Sequence, residues 1–99
     1  MPRTRKKRNC QAFEGDRVFK PRSIPMSELK KVRLHLDELE AMRLCDLLNC
    51  NQWEAGQRME VSRGTIYRLL QSGRAKVLRA LIESSALMVE DFPSSKESS

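Results

Sequence analysis

Apolar positions along the chain fall into helical stripes separated by short breaks. Ile66, Leu69, Leu70, Gly73, Val77 and Leu81 recur at a 3.6-residue period behind Ser62, a good N-cap. This predicts a long amphipathic helix over about 62–84. Asn51 and Glu54 have capping-box spacing, so a second, short helix is predicted from 51 to about 59. Asp37 and Glu40 repeat that spacing, and Leu39, Met42, Leu44, Cys45 and Leu48 continue an apolar face. A first helix over 37–48 follows, with Asn49, Cys50 and Asn51 ending it.

The flanks are less regular. Ser27 can cap a helical turn reaching Val32, after which Val32, Leu34 and Leu36 alternate with Arg33 and His35 as in a short extended lead-in. From 11 to 27, Pro21 and Pro25 break any helix and Phe13, Val18, Phe19, Ile24 and Met26 are scattered, which predicts a loop or short hairpin over the helical core. Beyond Leu87, Met88 and Val89 the chain is polar and serine-rich, and a disordered tail is expected over 90–99. The fold expected is therefore all-α, a three-helix core over 37–89. An irregular N-terminal segment over 11–36 would pack on it, behind a basic flexible arm over 1–10.

At 99 residues one core is expected, and with only 5% aromatics it must come from Leu, Ile, Val and Met. The 19 basic residues outnumber the 13 acidic ones, giving a net charge of +6 that favours polyanionic partners. No run approaches the roughly 18 apolar residues of a membrane span, and no apolar segment follows the basic start, so a cytoplasmic protein without a membrane partner is expected. Cys10, Cys45 and Cys50 form an odd set without a CxxC pair, and His35 is the one histidine. Neither a disulfide scaffold nor a zinc site is expected, and no metal or cofactor is predicted. Without a glycine-rich phosphate loop or a nucleophile-base pair, an enzyme is not expected either.

Two short helices joined by a three- to four-residue turn, the second lying in a major groove, define the helix-turn-helix. Gly56 is small where the helices must approach, Met59 and Val61 bracket the turn, and Ile66 and Leu69 face back onto the preceding helix. An ordinary helical hairpin would share that pattern, so charge has to separate the two. From 61 to 82 the chain carries Arg63, Arg68, Arg74, Lys76 and Arg79 and no acid, whereas 36–60 carries six acids against Arg43 and Arg58. One-signed charge on the groove-entering helix favours double-stranded DNA as partner. Ser62 and the neighbouring amides would meet a phosphate. Arg63, Gly64, Tyr67, Arg68 and Gln71 lie opposite the apolar stripe and are the candidates for base edges. Arg74, Lys76 and Arg79 lie too far along for one groove entry, so phosphate contact or solvation is expected of them. Arg3, Arg5, Lys6, Lys7 and Arg8 form an arm suited to a minor groove or to phosphates. Trp53, on the first turn of the second helix, suits packing or phosphate contact.

The segments PRTRK, FKPRSIPMSEL, LDELEAMRLCDLL and QWEAGQRMEVSRGTIYRLLQSGRAKVLRAL together resemble a small bacterial and archaeal family of uncharacterised, predicted DNA-binding proteins. Their helix-turn-helix is similar to region four of sigma factors. The resemblance covers nearly the whole chain to Val89 and implies a transcription regulator. Some members adjoin iron-molybdenum-cofactor-type domains, which hints at metal or redox physiology. Two positions depart from the pattern: Glu60 stands where a turn glycine is usual, and Gly56 where alanine is common. A helix-turn-helix geometry would place Glu60 in the left-handed region. Two other functions are compatible with the sequence. One is a protein-interaction module contacting the transcription machinery through the acidic first helix. The other is a metal or redox sensor using Cys10, Cys45, Cys50 and His35. A homodimer through Leu78, Ile82 and Leu87 is also consistent with the small DNA surface that one helix-turn-helix covers.

Overall fold

The computed structural model describes residues 17–90. The predicted arm, the segment 11–16, Cys10 and the chain from 91 onward lie outside the described residues. In order the elements are β1 (Arg17–Phe19), a 3₁₀ turn (Met26–Glu28), β2 (Lys31–His35), α1 (Leu36–Met42) continuing as a π-helical turn (Arg43–Leu47), α2 (Gln52–Met59), α3 (Arg63–Ile82) and β3 (Ala86–Glu90).

The all-α expectation is overturned. Three helices are joined by a three-stranded mixed sheet, so the fold is α+β. β3 is the central strand, antiparallel to β1 with Val18 opposite Met88, and parallel to β2 with Val32 opposite Leu87. The alternation at Val32 and Leu34 is thus a true strand, and Leu87, Met88 and Val89, which lie beyond the expected helix end, form β3. The segment after 17 forms no local hairpin, because β1 pairs with a strand distant in sequence. The 3₁₀ turn starts behind Pro25, so Ser27 lies inside it rather than capping it.

α1 also starts earlier and ends sooner than its pattern predicts. His35 precedes its first turn, and the His35 backbone N–H donates to Glu38 Oε1 at 2.9 Å. Asp37 is inside the helix rather than at its cap, and Asp37, Glu38 and Glu40 are all buried. After Met42 the chain widens into the π-helical turn and leaves Leu47 and Leu48 exposed. The second and third helices follow their capping signals closely. Asn51 accepts from the Glu54 N–H at 2.8 Å while Glu54 Oε1 accepts from the Asn51 N–H at 2.9 Å, and Ser62 Oγ accepts from the Thr65 N–H at 3.1 Å.

Two apolar clusters hold these elements. Ala41, Leu44, Ala55, Met59, Ile66, Leu69 and Leu70 join the three helices, with Cys45, Cys50 and Val61 packed alongside. Each fully buried Leu, Ile or Met side chain among them stabilises by about 1.5–3 kcal/mol. Leu34, Leu36 and Val89, with Val77, join the sheet to α3. Leu81 is left exposed, and Ala80 takes the inward place beside it.

Between the clusters sits a polar contact. The Glu38 carboxylate accepts from Ser72 Oγ through Oε2, and Oε1 accepts from Lys76 Nζ at 2.8 Å as well as from His35. Glu38 is only 2% exposed, so its charge depends on these donors. Removing one member of a buried pair strands the other and costs about 3–5 kcal/mol. Lys76→Ala, which leaves the buried Glu38 carboxylate without its counter-charge, is therefore expected to destabilise by about that much in urea unfolding. Asp46→Ala breaks an exposed pair with Arg74 and should cost no more than about 1 kcal/mol.

Candidate nucleic-acid interface

The turn between α2 and α3 fixes what the N-terminal half of α3 presents. Glu60 follows α2 with φ 64° and ψ 42°, the left-handed conformation anticipated from its position in the turn. The Glu60 and Val61 backbone N–H groups both donate to the Gly56 carbonyl, the Val61 bond at 3.0 Å. This pattern closes a helix end and reverses the chain within three residues. Gly56 lets that closure be tight, since a Cβ there would lie 2.7 Å from the Val61 carbonyl oxygen and the turn would have to shift. Met59 is fully buried beside Ile66, and Val61 covers the same cluster.

With Ile66, Leu69 and Leu70 turned inward, helical geometry turns Ser62, Arg63, Gly64, Tyr67, Arg68 and Gln71 outward, and all six are exposed. Ser62 Oγ shares a 2.9 Å hydrogen bond with Thr65 Oγ1, which accepts from Arg68 Nη2 at 3.2 Å. Gln71 Nε2 donates to the Tyr67 hydroxyl at 3.3 Å. Arg63 and Arg68 thus flank an aromatic ring and an amide on one exposed surface, and Gly64 keeps that surface low. A Cβ at Gly64 would meet nothing nearer than Arg68 Nη1 at 3.8 Å. Every charge on α3 is positive. Such a surface is chemically suited to an anionic partner rich in hydrogen-bond acceptors.

The structure divides the remaining predicted cations differently from the sequence. Arg74 is exposed but bound to Asp46 by two hydrogen bonds of 2.7 and 3.2 Å, and Lys76 is held by the buried Glu38 carboxylate, so each already has a counter-charge. The Arg74 guanidinium holds the Asp46 carboxyl below its ordinary range, and Asp46 in turn raises Arg74. Sequence reasoning missed these pairs because both partners are surface-type residues far apart in the chain. The arm residues Arg3, Arg5, Lys6, Lys7 and Arg8 lie outside the described residues. Trp53 is 61% exposed at the start of α2, on the same side of the turn in sequence as the Asn51 cap. It does not contribute to the buried core.

Cys45 and Cys50 are free thiols, half-buried against the helical cluster, and burial pushes the Cys45 thiol up from its ordinary range. Among the described residues no group of three or more His, Cys, Asp or Glu side chains is placed to hold a metal ion. No helix among them is long and apolar enough to cross a membrane.

A family model described as "Protein of unknown function DUF134" matches residues 1–93. A UPF0251 protein of Pelotomaculum thermopropionicum is 48% identical over 89 residues, covering 90% of this chain and 67% of that protein. One from Vibrio vulnificus is 39% identical over 97 residues, covering 98% of this chain and 97% of the relative. One from Methanosarcina mazei is 42% identical over 85 residues, and the chain spans 50% of its length. No solved structure matches the chain.

The strained turn gives a paired prediction. A left-handed non-glycine residue costs about 1–2 kcal/mol, and the added unfolded-state entropy of glycine offsets roughly 0.4–1 kcal/mol of the relief. Glu60→Gly should therefore be neutral to stabilising by about 1 kcal/mol in thermal or urea unfolding. Gly56→Ala gains helix propensity but drives its Cβ into a backbone carbonyl, and is expected to destabilise by about 1–2 kcal/mol.

Proposed function

The chain belongs to this DUF134 family, and we propose that it binds double-stranded DNA through the N-terminal half of α3, acting as a transcription regulator. The observation that carries this reading is the exposed, acid-free face of Ser62, Arg63, Gly64, Tyr67, Arg68 and Gln71, standing behind a short turn from α2. The order is that of a helix-turn-helix, in which the first residues of the second helix meet base edges. An arginine can bond guanine bidentately, a glutamine can read adenine, and a tyrosine ring can meet a thymine methyl. Ser62 and the first amides of α3 suit a phosphate. The arm would add phosphate contacts, and a second copy of the chain, docked through the exposed Leu78 and Ile82, would supply a second half-site. Leu87 is on β3 and does not belong to that docking face.

The protein-interaction reading drew on the acids of the first helix. Asp37, Glu38 and Glu40 turn inward and Asp46 is paired with Arg74, so α1 and its π-helical turn present no acidic face to support it. The sensor reading needs Cys45, Cys50, His35 and Cys10 together. Cys45 and Cys50 pack against the helical cluster, while His35 ends β2 and Cys10 lies outside the described residues.

Binding to a duplex should fall steeply between about 50 and 200 mM salt, because phosphate neutralisation releases counterions. Arg63→Ala and Arg68→Ala should each change stability by no more than about 0.5 kcal/mol, both being exposed. At least one should relax base preference at a defined position by about 1–3 kcal/mol when bound fragments are selected from random DNA. A flat salt response, or an unchanged selected sequence in the double variant, contradicts the reading. Deleting residues 1–8 should weaken binding to all sequences alike and reduce the slope of log affinity against log salt.

A further inference from the structure

A second basic surface lies at the other end of α3. Lys30, Lys31 and Arg33 from β2 and its approach face Lys76 and Arg79 of α3 across a cleft of about 620 Å³, which Ser85 and Glu83 complete. Lys30, Lys31 and Arg79 are exposed there, while Lys76 is engaged with Glu38. The cleft also contains a hydroxyl that needs a partner. Ser85 is 4% exposed, and its Oγ has no hydrogen-bond partner among the described residues. The turn after α3 places it there: Ser84 is left-handed with φ 54°, and the Ser85 backbone N–H donates to the Ala80 carbonyl at 2.9 Å.

We propose that this cleft binds the phosphate group of a small phosphorylated molecule, with Lys31 and Arg79 as the charged donors and Ser85 Oγ as the neutral one. The inference stands independently of the DNA reading. A buried polar atom without a partner costs free energy, and an anion oxygen in the cleft would satisfy it. The lysines and the arginine supply charge-assisted hydrogen bonds on facing elements, and a single acid, Glu83, opposes them at the same cleft. A free phosphate group is favoured over a duplex backbone because Arg79 lies sixteen residues beyond Arg63, about 24 Å along the helix at 1.5 Å per residue, too far for one groove entry.

The test uses the full chain and two probes, inorganic phosphate and pyrophosphate, against sodium chloride at matched ionic strength. Thermal unfolding should shift upward with pyrophosphate beyond the chloride control, and calorimetric titration should give saturable binding. Lys31→Ala and Arg79→Ala should each weaken that binding by at least about tenfold, the loss of one charge-assisted bond. Ser85→Ala should weaken it less, and Arg63→Ala should leave it unchanged. No shift beyond the chloride control, or equal binding by the Arg79→Ala variant, overturns the proposal. So does weakened duplex binding by Arg79→Ala in a protein that does not bind pyrophosphate, which would assign the cleft to the DNA backbone instead.

Discussion

The fold turns on one buried carboxylate. Glu38 sits in the first turn of α1 and draws together the end of β2 through the His35 N–H and the middle of α3 through Ser72 and Lys76. A charge this deeply buried is tolerated only with all its donors in place, so α3 cannot roll or slide without stranding it. Gly73 lets the helices come close enough, its position lying 3.2 Å from the Glu38 Cβ when a Cβ is built on it. Once α3 is fixed at this point its azimuth is fixed along its whole length. Ile66, Leu69 and Leu70 then face the core, and Arg63, Tyr67, Arg68 and Gln71 face away from it.

Short connections are the second constraint. Asn49, Glu60 and Ser84 are all left-handed and non-glycine, and each ends a helix. The residue after each returns a backbone N–H to a carbonyl in the last turn: Cys50 to Leu44, Val61 to Gly56 and Ser85 to Ala80. Satisfying those carbonyls offsets the conformational strain. The reward is geometric, since α2 passes to α3 in three residues and α3 passes to β3 in about the same space. β3 then lies between β1 and β2, tying the segment before α1 to the end of α3.

What could be read from the sequence was what is local. Asn51 with Glu54, Ser62, and the stripe from Ile66 to Val77 are neighbours within a turn or two, and they mark α2 and α3 closely. The left-handed backbone of Glu60 follows from the family resemblance, in which a turn glycine is usual at that position. The sheet is hidden because its strands are three to five residues long and pair across most of the chain, so Leu87 to Val89 carry no pattern that marks them as a strand. The start of α1 is masked because Asp37 and Glu40 imitate a capping box, while the sheet edge places His35 before the helix and aims Glu38 back at it. Of the candidate site, the outward residues of α3 follow from periodicity alone. Arg74 and Lys76 add little to the basic face, because they are paired with acids of α1 and its π-helical turn that only the folded structure brings near.

The surface that remains is small, which makes it easy to test by position. Backbone amide shifts of the isotopically labelled full chain, followed by NMR as a short duplex is added at low salt, report contact residue by residue. The account predicts changes concentrated over 62–71, with 30–33 and 79–85 little affected. Changes confined to the cleft between β2 and the end of α3, or none at all along α3, would contradict it.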